Sequence, residues 1–339
     1  MSRQRLTVVL SQAQGKDPRK RSLEESIAAA LIMEPGLDVS IVPYLYDLDG
    51  QHTGRLFLES VTGDMVVLGW MYPRAAFWLL DRCAVKGRYG ENQITPKTDA
   101  DDEDESGEPE PPKGVGAVNV PDRWIYCLDL RDHADHALYI QEVRRIAAEC
   151  RLRREAPTAA TNGHPSLVQL GLPAREEKPA PQFPAEQLMQ QPARRWYPVI
   201  DYSRCTNCME CLDFCLFGVY GVDKMDRILV ENQDNCKKGC PACSRVCPEH
   251  AIIFPDYKTP AIAGAPVGNI SGLKIDLTKL FGGGDAMAIA AQERDRELVA
   301  DGRQAVGLTV GIPKRQADKP KAPKDDLDKL MDQLDDLDI

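Results

Sequence analysis

Eight of the eleven cysteines crowd into one stretch of roughly forty residues, and their spacing dictates how that stretch can fold. The first run is Cys205-x2-Cys208-x2-Cys211-x3-Cys215. The second is Cys236-x3-Cys240-x2-Cys243-x3-Cys247, followed at once by Pro248. Closely spaced thiolates wrap a tight loop around one face of a compact inorganic core, and the fourth arrives from elsewhere. Structural zinc more often takes two cysteine pairs separated by a dozen or more residues. A disulfide framework suits a short secreted chain, whereas this one has 339 residues. The spacing therefore points to iron–sulfur ligation.

The first ten residues, Met1 to Leu10, carry a brief apolar run without a cleavage-site pattern and read as a first strand. No apolar stretch approaches the roughly eighteen residues that a membrane span needs. The expected location is the cytoplasm, where thiols stay reduced and available to metal. With 42 Lys and Arg against 52 Asp and Glu, the formal charge is −10. That balance argues against nucleic-acid binding, which needs clustered cations for phosphate. The local basic runs Arg19-Lys20-Arg21 and Arg151 to Arg154 read as solvated faces.

Residues 1–155 alternate strand and helix signals. Strands are expected at Leu6 to Leu10, Val39 to Val42, Met65 to Trp70 and Trp124 to Leu130. Helices are expected after a capping box at Ser22-Leu-Glu-Glu25, at Leu56 to Val61, from Pro73 through Cys83, and from His136 to Arg153. Repeated β-α units with short uncharged strands imply an α/β domain with an open, mostly parallel sheet covered by helices. An insert at 97–114, dominated by Asp and Glu, reads as a disordered loop. Residues 156–195 form a Pro-rich linker, 196–257 the cysteine domain, and 258–339 a C-terminal arm. That arm holds a helix at about 285–300 and an acidic amphipathic tail at 324–339. The tail's stripe of Leu327, Leu330, Met331, Leu334 and Leu337 suits either a disordered end or a recognition helix that docks in a partner's groove.

The cysteine domain resembles the bacterial-type ferredoxin that holds two [4Fe-4S] clusters. The resemblance covers about sixty residues. Each run has an acidic approach (Asp201-Tyr-Ser-Arg, Asp234-Asn) and is followed by a short apolar segment, Gly218 to Val222 or Ala251 to Phe254. It implies a small α+β domain of hairpins about a pseudo-twofold axis, in which the fourth cysteine of each run crosses to the other cluster. Cys205, Cys208, Cys211 and Cys247 would then hold one cluster, and Cys236, Cys240, Cys243 and Cys215 the other. Two positions depart from the pattern. Leu216 stands where a proline usually follows the first run, and Lys237-Lys238-Gly239 contains one extra residue, which a left-handed glycine can absorb. A Rieske centre would need two histidines in place of two cysteines, which the domain lacks, and no catalytic group is evident beside it. The implied work is one-electron transfer to or from a partner redox enzyme or electron-transfer protein. The alternative is an oxidoreductase whose α/β domain binds flavin, nucleotide or substrate and draws electrons from the clusters.

That alternative centres on the loop after the first strand, Ser11 to Pro18, with Lys16, Arg19, Lys20 and Arg21 near a helix N-terminus. No flavin or nucleotide motif supports it: there is no G-x-G-x-x-G, and Gly15-Lys16 lacks the rest of a P-loop. Cys83, Cys127 and Cys150 read as buried structural thiols. His133 and His136 read as a solvated helix start, and Trp70, Tyr72, Phe77 and Trp78 as core or as a partner surface.

Overall fold

In the computed structural model the described residues are 5–94, 114–155, 192–266 and 286–311. The acidic insert, most of the Pro-rich linker and the leucine-striped tail lie outside them. Five strands form one sheet: β1 (Leu6–Ser11), β2 (Leu37–Val42), β3 (Met65–Gly69), β4 (Arg88–Gly90) and β5 (Trp124–Asp129), in the order β2-β1-β3-β5-β4. Every pairing is parallel. Parallel strands have both faces covered, and the central ones accordingly read as unbroken apolar runs. All five residues of β3 are buried, whereas the edge strands β2 and β4 each leave two residues exposed.

Side chains of period two send alternate residues to opposite faces. Val8, Leu10, Val66, Leu68, Tyr126 and Leu128 pack beneath α1 (Pro18–Ile32) and α4 (His136–Glu155). Val9, Met65, Val67, Ile125 and Cys127 pack beneath α2 (Thr53–Ser60) and α3 (Pro73–Arg82). The result is a three-layer α/β sandwich. Two local expectations need correction. Helix α1 starts at Pro18, where Asp17 caps it by accepting from Arg19 N at 3.0 Å, so Ser22 already lies inside the helix. Proline suits a first helical position because its missing N–H would be unpaired there anyway. The second correction is β4, whose three residues are too few to show an alternation.

The cysteine-rich part is small and mixed. Strand β6 (Val199–Ile200) pairs antiparallel with β9 (Ile252–Ile253), and β7 (Tyr220–Val222) with β8 (Ile228–Val230). Short helices α5 (Glu210–Phe214) and α6 (Ala242–Val246) each carry the third cysteine of a run and end just before the fourth. Beyond them lie α7 (Pro260–Ala263) and the long α8 (Ala286–Ala300), which packs on α6.

The two parts share a core. Tyr197, Val199 and Ile253 belong to the same apolar cluster as α3 and the underside of the sheet. Arg74 on α3 donates to Asp201 at 2.5 Å and to the His250 carbonyl at 2.6 Å. Gly264, at φ +101°, ends α7 where a Cβ would lie 2.9 Å from Ala75 Cβ and 3.1 Å from Ile253 Cγ2. Only glycine combines that conformation with that approach.

Candidate metal centre

Each cysteine run is shaped by its own backbone. Asp201, 1% exposed, organises the first. Its carboxylate accepts from Ser203 N at 2.9 Å, and its carbonyl accepts from Cys205 N at 2.9 Å. Asn207 and Met209 take left-handed conformations (φ +59° and +65°) between the cysteines. Asn207 ties the loop to the β7–β8 hairpin, accepting from Ile228 N and donating to the Asp226 carbonyl, each at 2.8 Å. In the second run Gly239 sits at φ +88° with nothing within 4 Å of a notional Cβ. The extra residue is thus taken up by a left-handed glycine, and the loop closes with Cys240 N donating to the Lys237 carbonyl at 3.0 Å.

The eight cysteines divide four and four between two cavities, of about 370 and 340 Å³ of atom-free space. The first is lined by Cys205, Cys208, Cys211 and Cys247; the second by Cys215, Cys236, Cys240 and Cys243. The fourth cysteine of each run therefore faces the cavity of the other run. Electrostatic neighbourhoods divide the same way. Cys211 feels Cys247, Cys205 and Cys208, while Cys243 feels Cys215, Cys236 and Cys240.

Burial pushes the Cys240 and Cys247 thiols up to about 11, and those of Cys211 and Cys243 well above the ordinary value. Backbone amides oppose that rise: Cys215 receives N–H groups from Phe217, Val219 and Gly218, and Cys247 from Ala251 and Glu249. Four thiols lining one cavity cannot all ionise alone, because each charge raises the cost of the next. A bound cation removes that obstacle by deprotonating coordinating thiols outright. Among the described residues no three His, Cys, Asp or Glu side chains converge closely enough to hold a single metal ion. Thiols spread over the walls of a cavity suit a polynuclear core, whose metal atoms each take one thiolate.

Two residues beside the second cavity carry no motif that sequence reading could use. Tyr220 donates its hydroxyl to Cys243 Sγ at 3.1 Å from a buried position between the two sets. Arg294, on α8, is 1% exposed, lines the same cavity and stacks over Phe214 at 4.4 Å. A polar tip in an apolar strand was the only sign of the tyrosine. The arginine's place depends on a contact eighty residues away.

The α/β domain fills its own crevice. Glu24, 2% exposed, accepts from Ala13 N at 2.6 Å, Trp70 Nε1 at 2.8 Å and Arg21 at 2.8 Å. The loop after β1, on which the alternative flavin or nucleotide reading centres, thus holds this carboxylate, and Arg21 turns inward to it. Asp256 of the cysteine-rich part reaches over the same edge, accepting from Tyr44 Oη at 2.7 Å and Gln14 Nε2 at 3.1 Å. Cys83, Cys127 and Cys150 are buried thiols in the two apolar cores. His136 lies 3.9 Å from Asp135, whose carboxylate accepts from Ala137 N at the start of α4. Of the aromatics, Phe77 and Trp78 are core, and Trp78 meets Tyr202 edge-on at 5.8 Å, so the partner on that surface is the chain's own second part. Among the described residues no helix is long and apolar enough to cross a membrane.

The part of the chain that carries these cysteines is a ferredoxin-like region. It is similar to an uncharacterized ferredoxin of Methanocaldococcus jannaschii, 48% identical over 66 residues, which are 19% of this chain and 44% of that protein. The chain thus spans less than half the length of the curated relative it matches. No described protein family matches the chain, and no solved structure does.

Proposed function

We propose that the protein carries single electrons through two [4Fe-4S] clusters, to or from a partner redox enzyme or electron-transfer protein. The observation that carries this reading is the crossed division of eight cysteines between two cavities, one set of four around each. A [4Fe-4S] cluster supplies reversible one-electron chemistry when bound. The chain's residues do the rest. Cys205, Cys208, Cys211 and Cys247 would hold one cluster, and Cys215, Cys236, Cys240 and Cys243 the other. Amides of residues 217–219 and of Glu249 and Ala251 hydrogen-bond the sulfurs and so bear on the potential. Ile200, Ile228 and Ile252 keep water from the first cavity, and Phe214, Phe217 and Val219 from the second. The α/β domain acts as a fixed base for the cluster-bearing part, and the leucine-striped tail at 324–339 is a docking element for the partner.

Anaerobic reconstitution of the full chain tests this reading. The expected yield is close to eight iron and eight acid-labile sulfide per chain. Two zinc per chain without sulfide would overturn it.

A further inference from the structure

We propose that Arg294 and Tyr220 make the cavity of Cys215, Cys236, Cys240 and Cys243 the higher-potential centre of the two, so that an electron received at the other comes to rest there. The inference rests on the two-cluster reading above. Its basis is the unlike lining of two otherwise matched cavities. Lys237 and Arg294 line the second; Glu210 and Glu249 line the first.

Reduction adds one negative charge to a centre. A cation or hydrogen-bond donor held beside its sulfurs stabilises that charge, and a carboxylate opposes it. The Tyr220 hydroxyl points at Cys243 Sγ from 3.1 Å, and burial strengthens such a bond by removing competing water. The Arg294 guanidinium is held rigidly at the second cavity by carbonyls. It donates to Val310 O at 2.9 Å and Gly307 O at 2.6 Å, and it acts on the Cys215 sulfur. A fixed charge without access to water is screened far less than a mobile surface one.

The surrounding charges do not reverse this balance. Asp295 takes part of the Arg294 charge, at 3.3 Å from Nε, and Lys237 is paired with Asp301 at 2.6 Å. Glu293 and Glu297 act on Cys240, but Glu293 is already engaged by Arg245 at 2.8 Å. At the first cavity Arg227 favours the Cys205 thiolate and Asp201 opposes it, and Asp201 is paired with Arg74 at 2.5 Å. Arg294 and the Tyr220 hydroxyl therefore remain as the main difference. The transfer is balanced within the chain: the first centre loses one electron as the second gains it, and an external one-electron donor refills the first.

The test is a potentiometric titration of the reconstituted full-length protein, followed by electron paramagnetic resonance, with iron counted in each sample. The wild type should show two separate one-electron steps. Arg294→Gln should lower the upper step, cutting the ratio of reduced to oxidised centre about tenfold at a fixed potential, which is about 59 mV for one electron. Tyr220→Phe should lower the same step, and Arg294→Lys should retain most of the wild-type value. The lower step should stay where it is. If Arg294→Gln loses iron, Tyr220→Phe decides, because it removes one oxygen and leaves the ring. Coincident steps in the wild type, movement of the lower step, or unmoved steps in the variants with iron intact would overturn the inference. Absence of iron and sulfide from the wild type would instead overturn the two-cluster reading itself.

Discussion

Tyr46 and Tyr197 exchange hydrogen bonds across the boundary between the α/β sandwich and the cysteine-rich part. The Tyr46 hydroxyl donates to the Tyr197 carbonyl at 2.5 Å and accepts from the Tyr197 amide at 2.8 Å; the Tyr197 hydroxyl donates to the Tyr46 carbonyl at 3.0 Å. Their rings lie 4.5 Å apart. Polar groups buried this deeply cost free energy unless paired, so three reciprocal bonds fix one docking geometry.

Tyr46→Phe should therefore strip partners from both a buried N–H and a buried C=O, at a cost of about 2 kcal/mol or more. Chemical denaturation followed by tryptophan fluorescence and by cluster absorbance should give one shared midpoint in the wild type, since the two parts share a core. The variant should lower both midpoints together. Separate midpoints in the wild type would show that the seam does not couple the two parts.

Arg74→Met leaves the Asp201 carboxylate buried without its cation. Breaking such a pair costs on the order of 3 kcal/mol. Asp201 also organises the first cysteine loop, so iron loss should begin at that centre. Adding Asp201→Asn should recover part of the stability by removing the stranded charge. A double-mutant cycle with no coupling energy would refute the pairing.

The crossed ligation has a direct chemical test. Cys215→Ala should damage the centre held with Cys236, Cys240 and Cys243, and leave the one nearest it in sequence. Cys247→Ala should do the reverse. Iron analysis and spin quantitation distinguish the two cases. Loss of each cysteine's own sequence neighbours instead would contradict the geometry.

Asp132 gives a pH signature. Burial, reinforced by the Asp129 charge, raises its carboxyl from 3.8 to about 6. The folded state then binds the proton more tightly than the unfolded state. This group's favourable contribution is full below about pH 4 and is lost as pH rises through about 6. Asp132→Asn should match the wild type at low pH and gain a stability advantage above pH 6. After discounting for solvent screening at a half-exposed site, the advantage is on the order of 1 kcal/mol. Thermal melting from pH 5 to 8 checks it, and an advantage independent of pH would refute it.

Much of the fold was legible because its signals are local. The buried strands β1, β3 and β5 are runs of apolar residues, and α3 announces itself with Pro73 at its start. Strand β4 was not legible, because Arg88–Gly90 is an edge strand with two exposed residues. The start of α1 was misplaced because Ser22 and Glu25 imitate a capping box, while Asp17-Pro18 does the capping. The contact of Glu24 with the loop after β1 was not legible, because nothing local says that this helical carboxylate turns back to Ala13 N.

The cysteine spacing by itself determined that eight thiols would gather as two sets on small loops, because ligand loops are set by residues two and three apart. Tertiary structure alone decided what surrounds those sets. Arg294 reaches the second cavity from a helix eighty residues beyond Phe214, and Tyr46 meets Tyr197 across 151 residues. Contacts at such separations leave no periodicity to read. They form only when burial of a shared core brings distant segments together and each buried polar group must find a partner there.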